Sequence, residues 1–521
     1  MDSLTPILLI LVALLGATAL AGLARLQVRL AMIWATAAIL QIGIWVFCVS
    51  LISRLPLVTV WEAWEAVSGL ERNSQWLMID RYSWSTATIF LTLTTAGTLT
   101  ALVRLSEYDW KDLAWLFLLT GLGLAGCFSN SFPAVMMAWA AIDLAGIVFL
   151  VLHPAPGNDL SPNVTALVLN FLGITALGIG IAGWGGAALD LSTIPAGSTG
   201  FVLAAAGLRG MVAGYRPEFF GRPAWGPVTA LLWRMVPAAS ALTVLARAGD
   251  SISGERQVLL IPAVAAFAGL VLAVRWLFGS RAHRPVRLWV GGLVSLAVLA
   301  SALDMPGAVA ALAAALVLCG GLLFIPGPKR PGYRWLVILA TGLVSGLPFT
   351  PTWETAALIE AVFWPWGVLF AVTYAALLAG FVIRGDGSEA GEQPSVPGVR
   401  SIDIGGLILL VVGLVIAGWG PMLTGANPRE SWWGGWLVVL LLFGWLRLRV
   451  LAAEKLRAII ETSAWETPAA FLGRLQRRGI TAAGFSLAVL ARLLEGEAAM
   501  LWALVLLSLM VSLFVQLGLG T

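Results

Sequence analysis

The sequence predicts an all-α, polytopic membrane protein with about 14–16 transmembrane helices. Three observations carry this. The chain is 60% hydrophobic and only 11% charged over 521 residues, whereas a soluble domain holds about 25% charged residues. Apolar runs long enough to cross a bilayer follow one another almost without pause. Basic residues collect in alternate connections between those runs, as the positive-inside rule requires of a multi-pass chain.

At about 20 apolar residues per span, the first eight runs lie near 4–24, 31–52, 84–104, 112–128, 132–152, 164–183, 199–214 and 226–246. The next eight lie near 257–278, 286–303, 306–325, 334–362, 364–384, 403–423, 432–447 and 495–518. The first run lacks a basic leader and a small-residue cleavage site, so it reads as a retained span. The stretch 55–80 holds Glu62, Glu65 and Glu71 and is placed outside the membrane, and 385–398 is a polar linker rich in Gly and Ser. Three regions follow: a transmembrane core over 1–447, an amphipathic cytoplasmic-surface segment over 448–494, and a last transmembrane helix within 495–521.

Arginine and lysine fill the odd-numbered connections: Arg25 and Arg29, Arg275 to Arg287, Lys329 to Arg334, and Arg447 to Arg492. The even-numbered ones hold fewer, among them Arg54, Arg72 and Arg81 in the second and Arg247 and Arg256 in the eighth. Both termini are therefore expected outside the cytoplasm, in a bacterial inner or plasma membrane. Tryptophans near span ends, such as Trp61, Trp110, Trp433 and Trp436, read as headgroup anchors.

Several function classes drop out. Cys48, Cys127 and Cys319 stand singly in apolar runs, which fits packing and neither a disulfide framework nor an iron–sulfur spacing. The two histidines, His153 and His283, lie at span ends and cannot form a buried bis-histidine haem site. No Walker-type loop or dinucleotide fingerprint is present. No cofactor, metal or nucleic acid is expected, and the chain has no redox or nucleotide site of its own.

The run 335–362 (WLVILATGLVSGLPFTPTWETAALIEAV) cannot be one helix. Pro348 and Pro351 remove backbone donors and Gly346 loosens the chain just before them. Broken backbone survives in a bilayer only where protein or water satisfies it, and such breaks often carry the ion site of a transporter. Glu354 and Glu360 follow the break, where carboxylates are costly. The alternative is that the two prolines merely separate two helices at the water interface.

Asp143, Arg209 and Arg234 fall inside apolar runs, and Asp80 opens one. A central acid or arginine costs about 3 kcal/mol unless paired or hydrated. One acid and two arginines on neighbouring spans suggest either a polar path whose charges respond to one another or a static bridge between helices.

Four segments in order resemble the antiporter-like membrane subunits of respiratory complex I, sodium/proton antiporter complexes, membrane-bound hydrogenases and inorganic-carbon uptake complexes. They are WLMIDRYSWSTATIFLTL, FSNSFPAVMMAWAAIDLAGIVFLVL, GPVTALLWRMVPAASALTVLAR and ATGLVSGLPFTPTW, and the likeness covers roughly residues 70–384. The resemblance implies two inverted five-helix repeats, at about 112–246 and 257–384, each with a broken helix. It also implies a central chain of Glu, Lys and His that conducts protons. The fifth-span glutamate of that pattern falls on Ala140, with Asp143 one turn further, and the seventh-span lysine falls at or beside Arg209. The eighth-span histidine falls on Trp233, beside Arg234, and the lysine that can follow it on Ala239. The twelfth-span lysine falls near Ala356, and the only lysines, Lys111, Lys329 and Lys455, lie outside every span.

The expected function is therefore a membrane subunit of a complex-I-like, ion-translocating assembly of the NADH–quinone oxidoreductase type, with an altered or lost proton path. Its partners would be other membrane subunits and the lipid bilayer. The alternatives are a membrane subunit of an ion-coupled uptake system, such as one for inorganic carbon, and a non-conducting structural anchor. The path candidates are Asp143, Arg209, Arg234, Glu354 and Glu360, with Gly346, Pro348 and Pro351 as the broken-helix hinge.

Overall fold

The computed structural model describes residues 4–60, 75–103, 108–152, 161–182, 190–212, 227–251, 260–279, 285–325, 331–361, 364–385, 397–423 and 433–462. The helices follow the apolar runs closely. They are α1 (Thr5–Arg25), α2 (Leu30–Ser50), α3 (Arg81–Val103), α4 (Trp110–Phe128), α5 (Phe132–Leu152), α6 (Ser161–Ala182), α7 (Ala196–Val212), α8 (Pro227–Ser251) and α9 (Leu260–Phe278). Then come α10 (Pro285–Ala302), α11 (Pro306–Ala314), α12 (Gly320–Phe324), α13 (Pro331–Leu343), α14 (Trp353–Ala361), α15 (Trp364–Gly385), α16 (Pro397–Leu423) and α17 (Gly434–Thr462). Nine helices among the described residues are long and apolar enough to cross a membrane. With the shorter apolar helices between them, they make the chain an integral, multi-pass membrane protein.

Two helices occupy the centre: 83% of the apolar stretch of α3 is buried and 89% of that of α8, against 22% for α1 and α17. A bilayer-crossing chain leaves apolar side chains facing outward on its peripheral helices, as Leu15, Ile39 and Leu440 do here. The central α3 is rich in threonine, yet its hydroxyls are satisfied locally. Thr86, Thr92, Thr95, Thr98 and Thr100 each donate to the carbonyl four residues back, which removes the penalty of burying them. Gln41 and Trp45 of α2 donate to Thr94 and Thr92, tying α2 to the same face. The helix α4 packs on α8, and α9 packs on α15.

Several sequence expectations need correction. The helical fold includes a small sheet, strands β1 (Leu57–Val60) and β2 (Gln75–Ile79) pairing antiparallel with Leu57 opposite Ile79. This hairpin sits where the sequence placed a segment outside the membrane; Trp61, Glu62, Glu65 and Glu71 lie outside the described residues. The run 306–325 is not uniform, because Ala315–Cys319 forms a π-helical turn between α11 and α12. The surface segment expected from residue 448 begins as the continuation of a span: α17 runs unbroken for 29 residues to Thr462. That is about 44 Å of helix, longer than the hydrocarbon core is thick. The rest of 448–494 and the final span lie outside the described residues. Tryptophan is as much core as anchor: Trp34, Trp84, Trp139, Trp276 and Trp289 are fully buried, whereas Trp433 and Trp436 are exposed. The three cysteines are buried and free, as packing residues should be.

Candidate functional site

On α5, Asp143 receives two hydrogen bonds. Arg209 of α7 donates at 2.6 Å and Asn170 of α6 donates at 2.8 Å. The second Arg209 amino group donates to the Trp139 carbonyl at 3.0 Å, and its guanidinium lies over the Trp139 ring, 5.2 Å from the centroid. Trp139 and Asp143 are four residues apart and so share a helix face. Arg209 is fully buried. Asp143 and Arg209, from neighbouring spans, thus form a direct ion pair. Arginine does not release its proton in practice, so position 209 fixes charge and does not relay it. Three polar atoms at this node have no protein partner: Arg209 Nε, Asn170 Oδ1 and Trp139 Nε1. Arg234 lies half-buried on α8, next to Trp233, whose ring packs 5.6 Å from that of Trp115.

The broken helix is present. α13 ends at Leu343 and α14 starts at Trp353, with nine irregular residues between. Gly346 turns the chain with φ +74° and Phe349 follows with φ +64°, the left-handed region that favours glycine. The interruption is satisfied from several sides. Thr352 donates to the Leu343 carbonyl at 3.0 Å and accepts from the Gly346 amide at 3.2 Å. Tyr374, in the middle of α15, donates to the Val344 carbonyl, and Trp419 of α16 donates to the Phe349 carbonyl. Pro348 and Pro351 sit within the break, Pro351 packed against Gly418 of α16. Val344 and Thr352 are thereby held inside the protein beside α15, so the break is not a simple junction at a helix end.

The two glutamates after the break differ. One oxygen of Glu360 accepts the backbone amides of Trp433 and Gly434, both at 2.9 Å. Glu360 therefore caps the N-terminus of α17, where a carboxylate is favoured by unpaired N–H groups and the helix dipole. Glu354 lines a cavity of about 220 Å³ at the end of the bundle that carries the hairpin. Arg81 and Tyr82 of α3, Asp250 of α8 and Asp304 share its wall. Arg81 pairs with Asp250 at 3.5 Å, and Tyr82 donates to the same carboxylate at 3.1 Å.

Sequence reasoning missed Arg247. It was assigned to the eighth connection, but α8 continues to Ser251 and Arg247 is buried within it. Its guanidinium donates to Asp80 at 2.9 Å, to the Met78 carbonyl at 2.8 Å and to the Ser129 carbonyl. Asp80 also accepts from the Ser83 amide at 2.7 Å, capping α3. A signal was available: Asp80-Arg81 is charge-complementary to Arg247 and Asp250, which share a helix face at a spacing of three. Asp80 thus ties the start of α3 to α8.

No protein-family model matches the sequence, and no curated protein matches it. Solved structures do. A chain of the Mrp complex from Dietzia sp. DQ12-45-1b superposes with a TM-score of 0.66 at 18% identity, covering 99% of this chain and 63% of that one. This chain thus spans less than two thirds of that neighbour's length. A chain of the membrane-bound sulfane sulfur reductase, an archaeal respiratory membrane complex, gives 0.64 at 16% identity, covering 97% and 99%. A chain of respiratory complex I from Thermus thermophilus gives 0.59 at 16% identity, covering 79% and 98%. The likeness read from four short segments is borne out at the level of the fold, which this chain shares with membrane chains of these assemblies.

Proposed function

We propose that a chain with this fold serves as a membrane subunit of a multi-subunit, ion-translocating assembly of the complex I and Mrp kind, with a proton path altered from the usual one. The observation that supports it most is the interrupted rod α13–α14, which sets Glu354 on the wall of a polar cavity. The reading includes two inverted five-helix repeats, α4–α8 and α9–α15 with α11–α12 and α13–α14 each counted as one interrupted rod; in each repeat the first and last helices pack together. It places both termini outside the cytoplasm, with the arginine-rich connections inside.

Within this reading Glu354 is the exchanging carboxylate. Glu360 is committed to the α17 backbone, and Asp143, Arg209 and Arg234 contribute fixed charge that biases ions elsewhere. The Asp143–Arg209 bond favours, for the first repeat alone, the structural-anchor alternative. The sequence carries no nucleotide or redox motif, so an ion gradient or a partner would drive transport in this reading.

The test is purification of the tagged chain from its native membrane, followed by proton uptake in liposomes. Other membrane subunits should copurify, and Glu354→Gln should abolish uptake while assembly is retained. A chain that purifies alone, or a Glu354→Gln assembly with undiminished uptake, would sink the reading. Uptake that depends on bicarbonate and on a copurifying zinc protein would select the inorganic-carbon alternative.

A further inference from the structure

Trp276 of α9 and Arg384 of α15 tie their two helices together reciprocally. Trp276 is fully buried near the end of α9 and donates through Nε1 to the Leu377 carbonyl of α15 at 2.9 Å. Arg384, two turns further along α15, donates back to the Trp276 carbonyl at 3.0 Å and reaches the Gly279 carbonyl at 3.5 Å. Its guanidinium carbon lies 4.2 Å from the centroid of the Trp276 ring. Those carbonyls belong to the last turn of α9 and the residue after it, where oxygens lack intrahelical donors and negative charge collects. The helix α15 ends at Gly385, beside them, so two helix ends of like partial charge lie together. A guanidinium there supplies donors to one end and positive charge to both.

The helices α4 and α8 close in the same way. Arg247, four residues before the end of α8, donates to the Ser129 carbonyl at the end of α4. In each case a buried phenylalanine closes the earlier helix, Phe128 in CFSN and Phe278 in LFGS, and the arginine meets the carbonyl of the next residue. From the α9 end, α10 carries the chain back to Asp304, which lines the cavity together with Asp250 near the end of α8. The two seams therefore close at opposite ends of the bundle. We propose that Arg384 is a helix-end clamp closing the α9–α15 seam, and that it is the counterpart of Arg247 on the α4–α8 seam. The counterpart relation rests on the two-repeat reading, whereas the clamp at Arg384 rests on its own contacts.

The tagged chain, purified from its native membrane with whatever accompanies it and placed in lipid nanodiscs, is followed by hydrogen exchange and mass spectrometry. Arg384→Met keeps an apolar stem beside Trp276 but loses the charge and the donors. Amides over 274–279 should then exchange about three- to tenfold faster, the scale of a helix-end charge, while 57–60 and 75–79 stay unchanged. Arg384→Lys keeps the charge without the planar fork and should fall between the two. Unchanged exchange over 274–279 in Arg384→Met overturns the clamp, and so does exchange in Arg384→Lys as fast as in Arg384→Met, since packing alone would then account for the contact. If Arg384→Met fails to fold, Arg384→Lys is compared with Arg384→Gln: faster exchange in the glutamine variant supports the clamp, and equal or slower exchange overturns it. For Arg247 the comparison uses an Asp80→Asn background, which leaves no buried acid stranded. There Arg247→Met should accelerate exchange over 124–129 and not over 274–279. Absence of that acceleration, with 274–279 responding to Arg384→Met, would remove the counterpart relation and leave the clamp standing.

Discussion

Arg209 and Asp143 stand 2.6 Å apart, yet the arginine side chain is wholly enclosed while the aspartate keeps 13% of its surface open. The pair is thus locked on its basic side and reachable on its acidic side. A reversible proton carrier needs a group that can let go, and the enclosed member of this pair cannot.

Removing one partner should therefore do more harm than removing both. Arg209→Leu leaves Asp143 without its counter-ion and should destabilise the protein by about 3–5 kcal/mol. The double variant Asp143→Leu/Arg209→Met should recover most of that loss, and the charge-exchanged pair should be tolerated. Thermal unfolding in detergent measures each; a double variant no better than Arg209→Leu would show the bond to be incidental.

Gly346 should be intolerant of a side chain. Its φ of +74° is left-handed, and an added Cβ would lie 2.8 Å from Thr355 Oγ1. Gly346→Ala should cost about 1–2 kcal/mol. Gly342, a helical residue of α13 with open space around its Cα, supplies the control: Gly342→Ala should gain up to about 1 kcal/mol. Equal melting temperatures for the two variants would contradict the break as described.

Arg247 should behave as a clamp on the hairpin. Its three acceptors belong to the β2 strand, the loop after it and the end of α4. Arg247→Met should cost about 3 kcal/mol or more through the stranded Asp80. It should also raise hydrogen exchange across 57–60 and 75–79 before any other described region. Lysine lacks the planar fork and should rescue only part. Unaltered exchange in the hairpin would refute the clamp.

Glu360 should prove to be a cap. Glu360→Ala removes an acceptor shared by the Trp433 and Gly434 amides at the start of α17 and should cost about 1–2 kcal/mol. Glu360→Gln keeps an acceptor oxygen and should cost less. Ion uptake should persist in Glu360→Gln and vanish in Glu354→Gln; the reverse result would exchange their roles.

The span positions were legible because each is an apolar run between polar punctuation, and the break was legible because proline and glycine act locally. The identity of Asp143 and Arg209 as outliers was also plain, since a charge in an apolar run stands out in one dimension. Arg247 was not plain, because it lies near a run's end, where a loop charge and a buried helix residue look alike.

The sequence by itself determined that this chain crosses a membrane many times, and that no single helix can run through Pro348 and Pro351. Hydrophobicity and backbone chemistry act residue by residue, so one dimension suffices for these. Only the tertiary structure decided where each charge lands: Arg209 with Asp143, Arg247 with Asp80, Glu360 with the start of α17. Those meetings depend on how separate helices rotate and stack against one another. Packing fixes that rotation, and no local pattern encodes it.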